Sequence, residues 1–127
     1  MYIYRLEDEY GRGPVGYDGL ELDKDLLEYW EEHVEYVEPD GECQRLGHEL
    51  GLKGHDTTCF GCLSYVTLVQ YWGKLFNEYQ NRGLIVVVYN IPNNLISRGE
   101  MQVAFPRILH NPSKIVRVYD WPNLKHA

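Results

Sequence analysis

Apolar positions change their spacing several times along the chain, and each change marks an element. Tyr2-Ile3-Tyr4-Arg5-Leu6 alternates aromatic and β-branched residues with the two-residue period of a strand and ends in polar residues. Glycines and Pro14 in GRGPVGYDG follow as a loop. From about Asp23 to Val37, Leu26, Leu27, Trp30, Val34 and Val37 recur at helical spacing against Asp25, Glu28, Glu31, Glu32 and Glu35. That pattern predicts an amphipathic helix with an acidic outer face. Residues 38–58, with Pro39, glycines and scattered polar groups, read as a long loop holding one short helical turn near Gln44 to Leu50. Loops of that length in a small domain are often functional.

A second helix is predicted from Ser64 to about Gln80, where Val66, Val69, Trp72, Leu75, Phe76 and Tyr79 form an apolar stripe and Ser64 suits the N-cap. Asn81-Arg82-Gly83 stops it. Leu84 to Tyr89 is a continuous, largely β-branched run, the mark of a central strand covered on both faces, and Pro92 closes it. MQVAF, bounded by Gly99 and Pro106, and Lys114 to Tyr119 supply two further short strands. The order strand, helix, helix, then a strand-rich second half predicts a single α+β domain over residues 1–127, with a mixed or antiparallel sheet and two main helices.

Composition narrows the function classes. The 127 residues suit one core, 44% of them are apolar, and no apolar run approaches the roughly 18 residues of a membrane span. The opening MYIYRLEDE carries acids where a secretory signal has a basic and then an apolar region, which points to a soluble, cytoplasmic protein with reduced thiols. Charge is segregated. Residues 1–50 hold 15 Asp/Glu and 4 Lys/Arg, whereas residues 51–127 hold 4 and 8. Such an acidic half repels nucleic acid and attracts basic surfaces.

Cys43, His48, His55, Cys59 and Cys62 lie within twenty residues, and Cys59-x-x-Cys62 has the spacing of half a zinc knuckle. Cys43 or a histidine such as His55 would complete a zinc set. The alternative is that Cys59 and Cys62 pack as small apolar residues at a helix start, where the helix dipole also favours a reactive thiol. Gly11-Arg12-Gly13 lacks the Lys-Ser/Thr of a phosphate loop.

Arg5 at the end of the first strand, Ser64 opening the second helix and Glu100-x-Gln102 leading into a strand resemble the arginine, serine, glutamate pattern of ADP-ribosyltransferase-fold proteins. The order YR, FGCLSYVTLVQYW, VVVYNIP and GEMQVAF is also similar to that of small proteins of phages and their hosts. The resemblance implies an ADP-ribosyltransferase-like fold with a cleft for NAD or a related nucleotide. In such a cleft Arg5 clamps phosphate, Ser64 orients the ribose, and Glu100 and Gln102 occupy the catalytic positions. Tyr4, Phe60, Tyr65 and Tyr89 are candidate rings to stack on the nucleotide. Gln102 accepts a hydrogen bond but carries no charge, so either Glu100 supplies the electrostatic role or the fold binds without turnover. An enzyme of this kind would modify and silence a host or defence protein.

A non-enzymatic alternative rests on the acidic helix. Glu28, Glu31, Glu32 and Glu35 would act as a decoy for a basic, nucleic-acid-binding surface of a partner, and the chain is similar in size and charge to small acidic anti-CRISPR and other anti-defence proteins.

Overall fold

The computed structural model describes residues 1–14, 24–33 and 58–119. Its strands are β1 (Tyr2–Glu7), β2 (Thr58–Cys62), β3 (Ile85–Asn90), β4 (Ser97–Arg98), β5 (Gln102–Pro106) and β6 (Ile115–Tyr119). Its helices are α1 (Lys24–His33), α2 (Tyr65–Trp72) and α3 (Lys74–Asn81). The strands make one sheet in the order β4-β5-β2-β1-β3-β6, with every pairing antiparallel. Among the described residues the domain is α+β, with an antiparallel sheet and three α-helices.

Side chains alternate across a strand, so β1 serves two cores at once. Tyr4 and Leu6 meet Cys62, Val86 and the helix residues Leu68, Tyr71, Trp72, Leu75, Phe76 and Tyr79 on one face. Ile3 meets Cys59, Val87, Tyr89, Val103 and Phe105 on the other, together with Ile91 and Ile96 from the segment after β3. β1 and β3 pair along their whole length, from Tyr2 opposite Asn90 to Glu7 opposite Ile85. β3 thus lies between β1 and β6 with cores on both sides, which is why its sequence is apolar without alternation.

The helical period alone predicts one helix from Ser64 to Gln80, but the structure divides it. Ser64 caps α2 by accepting the Thr67 N–H at 3.0 Å. Gly73, at φ +50°, ends α2 through its N–H to the Val69 carbonyl at 2.8 Å, and its own carbonyl accepts the Phe76 N–H at 3.1 Å as α3 begins. Any side chain at Gly73 would collide with the Tyr29 hydroxyl of α1. The break is where α1 docks. Apolar spacing continues across it, so periodicity cannot reveal it. α3 stops at Gly83, φ +97°, as the sequence expects. Of the acidic helix expected from Asp23 to Val37, Lys24–His33 is described, and the remainder lies outside the described residues.

Residues 58–62 correct the sequence reading, which placed them in the end of a loop and the start of a helix. They form β2, inside the sheet between β5 and β1. TCFGC has few of the residues that advertise a strand because Gly61 lies under its neighbour. A Cβ there would come 2.5 Å from Ile3 Cγ2, 2.9 Å from the Tyr4 carbonyl oxygen and 3.0 Å from Arg5 Cγ. Glycine lets the β1 side chains cross β2.

Among the described residues, one buried side chain is left without partners. Gln80 of α3 is 3% exposed, and neither its amide nitrogen nor its amide oxygen has a hydrogen bond. A buried amide of this kind costs about 1 to 3 kcal/mol relative to an apolar group of the same shape. Gln80→Met, close to isosteric, is expected to raise the midpoint of chemical denaturation by an amount in that range. An unchanged or lower midpoint would show that the amide is satisfied in solution.

Candidate functional site

The polar residues that the fold gathers most tightly are on the face of the sheet away from the helices. Arg5 and Glu7 are two apart on β1 and so point the same way. Glu7 is 3% exposed, and its carboxylate accepts from three side chains. Arg5 Nε donates to Oε1 at 2.8 Å, His110 Nε2 lies 2.6 Å from Oε1, and the Tyr89 hydroxyl is 2.9 and 2.8 Å from the two oxygens. An ionised carboxylate only accepts, so His110 Nε2 carries the proton of that bond. Arg5 Nη1 also donates to the Phe60 carbonyl of β2. The cluster therefore ties β1 to β2, to β3 and to the turn before residue 111.

The loop after β1 closes over this cluster. Asp8 Oδ1 accepts the N–H groups of Tyr10 and Arg12, each at 2.9 Å, and Asp8 Oδ2 pairs with Arg12 Nε at 2.7 Å. The turn so formed brings Gly11 to the His110 ring and Gly13 to Arg5: a Cβ would lie 3.3 Å from His110 Cε1 at the first and 3.1 Å from Arg5 Nη2 at the second. GRG is a cover for a guanidinium and an imidazole.

Burial pushes the Glu7 carboxyl up, but the bonds from His110, Arg5 and Tyr89 together outweigh it and hold the group below its ordinary range. Burial and the neighbouring carboxylate push the Tyr89 phenol far up, so it stays a donor. A carboxylate kept ionised and surrounded by donors is a weak base, and this arrangement suits cross-linking of strands better than proton transfer.

The residues singled out from the sequence fall in three places. Tyr4, Cys62 and Gln102 are register partners in one row on the helix-facing side, and Ser64 follows two residues after Cys62. Arg5 is on the opposite face, engaged by Glu7 and Phe60. Glu100 is exposed in the turn that joins β4 to β5, which the Gly99 N–H closes on the Gln102 carbonyl at 2.8 Å. GEMQVAFPR is thus a hairpin turn followed by an interior strand. The structure does not bring Arg5, Ser64, Glu100 and Gln102 around one cleft. Tyr65 packs its ring against Phe76 and Tyr119, at centroid distances of 6.0 and 5.5 Å.

Cys59 and Cys62 are both buried, neither is in a disulfide, and they lie in different cores on opposite faces of β2. The pair cannot hold one ion while β2 stays in the sheet. Cys43, His48 and His55 lie outside the described residues, and among the described residues no group of three His, Cys, Asp or Glu is placed to hold a metal. Burial pushes the Cys59 thiol up, against the pull of Arg5 and Arg107, away from reactivity. Glu28, Glu31 and Glu32 are exposed on α1, as expected, and Glu35 lies outside the described residues.

Sequence reasoning missed Glu7 and His110. A legible trace of Glu7 existed, since opposite charges at positions i and i+2 of a strand share a face with Ile3. Nothing local points to His110, whose partner is 103 residues away.

A family model described as Bacteriophage T4 Y00F protein matches residues 1–119. No curated protein and no solved structure matches the chain.

Because the folded Glu7 carboxyl titrates below the ordinary value of 4.5, the unfolded chain binds more protons as the solution is acidified. The stability it contributes is complete above that ordinary value and is lost as pH falls through the lower folded value. Glu7→Gln leaves Arg5 a buried cation without its carboxylate and is expected to cost about 3 to 5 kcal/mol at neutral pH. Urea titrations between neutral pH and pH about 3 should show a steeper acid loss in the wild type than in Glu7→Gln. Parallel curves would remove Glu7 from the acid dependence.

Proposed function

The chain belongs to the bacteriophage T4 Y00F protein family, and we propose that it is a non-enzymatic phage protein that binds a basic surface of a host or defence protein on the acidic face of α1. The observation that carries this reading is the exposure of Asp25, Glu28, Glu31 and Glu32 on a helix whose other side is anchored. Tyr29 is half-buried where α1 meets Gly73, so the helix presents its carboxylates from a fixed position. Glu28 is three and four residues from Glu31 and Glu32, a spacing that stacks them on one side of the helix. None of the four makes an ion pair among the described residues. Their like charges on one side of the helix favour a partner of opposite sign, and a basic nucleic-acid-binding surface has it.

The nucleotide-binding alternative has less support, because Arg5 would have to leave both Glu7 and the Phe60 carbonyl to clamp a phosphate. A calorimetric titration with NAD is expected to give no heat, and heat that is lost in Glu100→Ala would revive that alternative.

The acidic-face reading is tested by immobilising the wild type and a Glu28→Lys, Glu31→Lys, Glu32→Lys variant and passing nuclease-treated bacterial lysate over both. The wild type is expected to retain a basic protein that elutes as salt rises to about 0.5 M, where screening shortens to a few ångströms. The variant is expected to retain none of it. Equal retention by both, or retention indifferent to salt, would overturn the reading.

A further inference from the structure

We propose that β6 is a docking edge for an extended acidic peptide of a partner protein, which adds to the sheet as a further strand. The proposal goes beyond the acidic-face reading and does not depend on it. β6 is the outermost strand beside β3, and among the described residues nothing pairs with its outer edge. Ile115, Val116 and Val118 are 36%, 49% and 50% exposed, whereas the middle of β3 beside them is buried. An edge strand offers a row of unpaired N–H and C=O groups, and apolar side chains along it favour the addition of another strand.

Charge selects the occupant. Within β6 and the turn before it the charged residues are Lys114 and Arg117, and the nearest acid in sequence is Asp120, after the strand. Arg117 sits in the middle of β6, with Nη1 donating to the Tyr119 hydroxyl at 2.6 Å and the guanidinium lying 5.5 Å from the Tyr119 ring centre. It is held along the strand. Opposite charges directly across two strands attract, and like charges repel. A second copy of this chain is the wrong partner on that ground: the pairing that sets Val116 against Val118 of the copy also sets the two Arg117 side chains against each other. A basic strand is repelled in the same way. A strand alternating apolar and acidic residues satisfies the edge, the valines and Arg117 together.

The register limits where it can lie. Arg117, Val118 and Tyr119 pair regularly with Val88, Val87 and Val86, and the shift between Val88 and Tyr89 falls at Val116. A bulge bends a strand and interrupts its ladder, so the added peptide would register on residues 117–119 and end near the bulge.

The test uses two probe hexapeptides, one alternating valine and glutamate and one alternating valine and lysine, with amide hydrogen exchange read residue by residue. The acidic peptide is expected to slow exchange within residues 115–119 and to bind at least about threefold more tightly than the lysine peptide. Arg117→Glu, with its fold checked by thermal melting, is expected to reverse that preference. The Glu28→Lys, Glu31→Lys, Glu32→Lys variant should show the same protection in β6 as the wild type, so failure of the acidic-face reading leaves this result intact. Equal binding of the two peptides, protection confined to other strands, or a dimer that protects β6 without peptide would overturn the proposal.

Discussion

Burying a carboxylate strips it of water, and a fold that does so has to return several hydrogen bonds in a fixed geometry or lose the charge. Glu7 is buried near the middle of the sheet, and Arg5, Tyr89 and His110 supply those bonds. The remaining architecture follows from meeting that demand. Arg5 brings its own requirement for acceptors, which the Phe60 carbonyl answers, and its stem needs the open surface of Gly61 to cross β2. Tyr89 has to stand opposite Ile3 on β3, next to the row that holds Arg5 and Val87. The turn at residues 107–110 has to return to the sheet to deliver His110.

This also explains why the register of the central strands is unambiguous. A slip of one residue in β1 would turn Arg5 and Glu7 into the core that packs Leu68, Trp72 and Leu75, and turn Tyr4 and Leu6 out of it. Apolar patterning alone would discriminate weakly here, because both faces of β1 are covered and both take large side chains. The buried ion pair adds the missing discrimination: one face brings Arg5, Tyr89 and His110 together around Glu7, and the other is lined by the apolar core of the helices. Cost and specificity come from the same group.

What could be read from the sequence was what neighbouring residues decide. The β3 run, the stop at Gly83, the Ser64 cap and the acidic side of α1 each depend on residues within a turn or two of one another, and each is present. The features that escaped depend on distant partners. Gly73 breaks a continuous apolar stripe because Tyr29 of α1 lies against it. β2 is built from Thr, Cys, Phe and Gly because β1 side chains pass over it, so its composition reports its neighbour and hides its own conformation. Glu100 and Gln102 resembled a catalytic pair leading into a strand, yet the chain reverses between them and places one in a turn and the other in β5. The same distance effect governs Arg5, cast by the resemblance as a phosphate clamp, whose partners at Phe60 and Glu7 make it a core residue.

Charge at the surface and charge in the core are handled by opposite rules in this molecule. Inside, Arg5 meets Glu7, and the pair adds nothing to the field outside. Outside, α1 carries carboxylates at 25, 28, 31 and 32 after a single Lys24, while Lys114 before β6 and Arg117 within it give that strand a locally positive charge that ends at Asp120. Mixed surface charge would have served solubility equally well. Segregation instead gives α1 and β6 opposite local signs, so that α1 against α1 sets acid against acid and β6 against β6 sets base against base. A net charge of −7 opposes the remaining head-to-tail contact between α1 of one copy and β6 of another at low salt. The two surfaces therefore differ in the sign of the charge they present, and the buried pair of Arg5 and Glu7 contributes to neither.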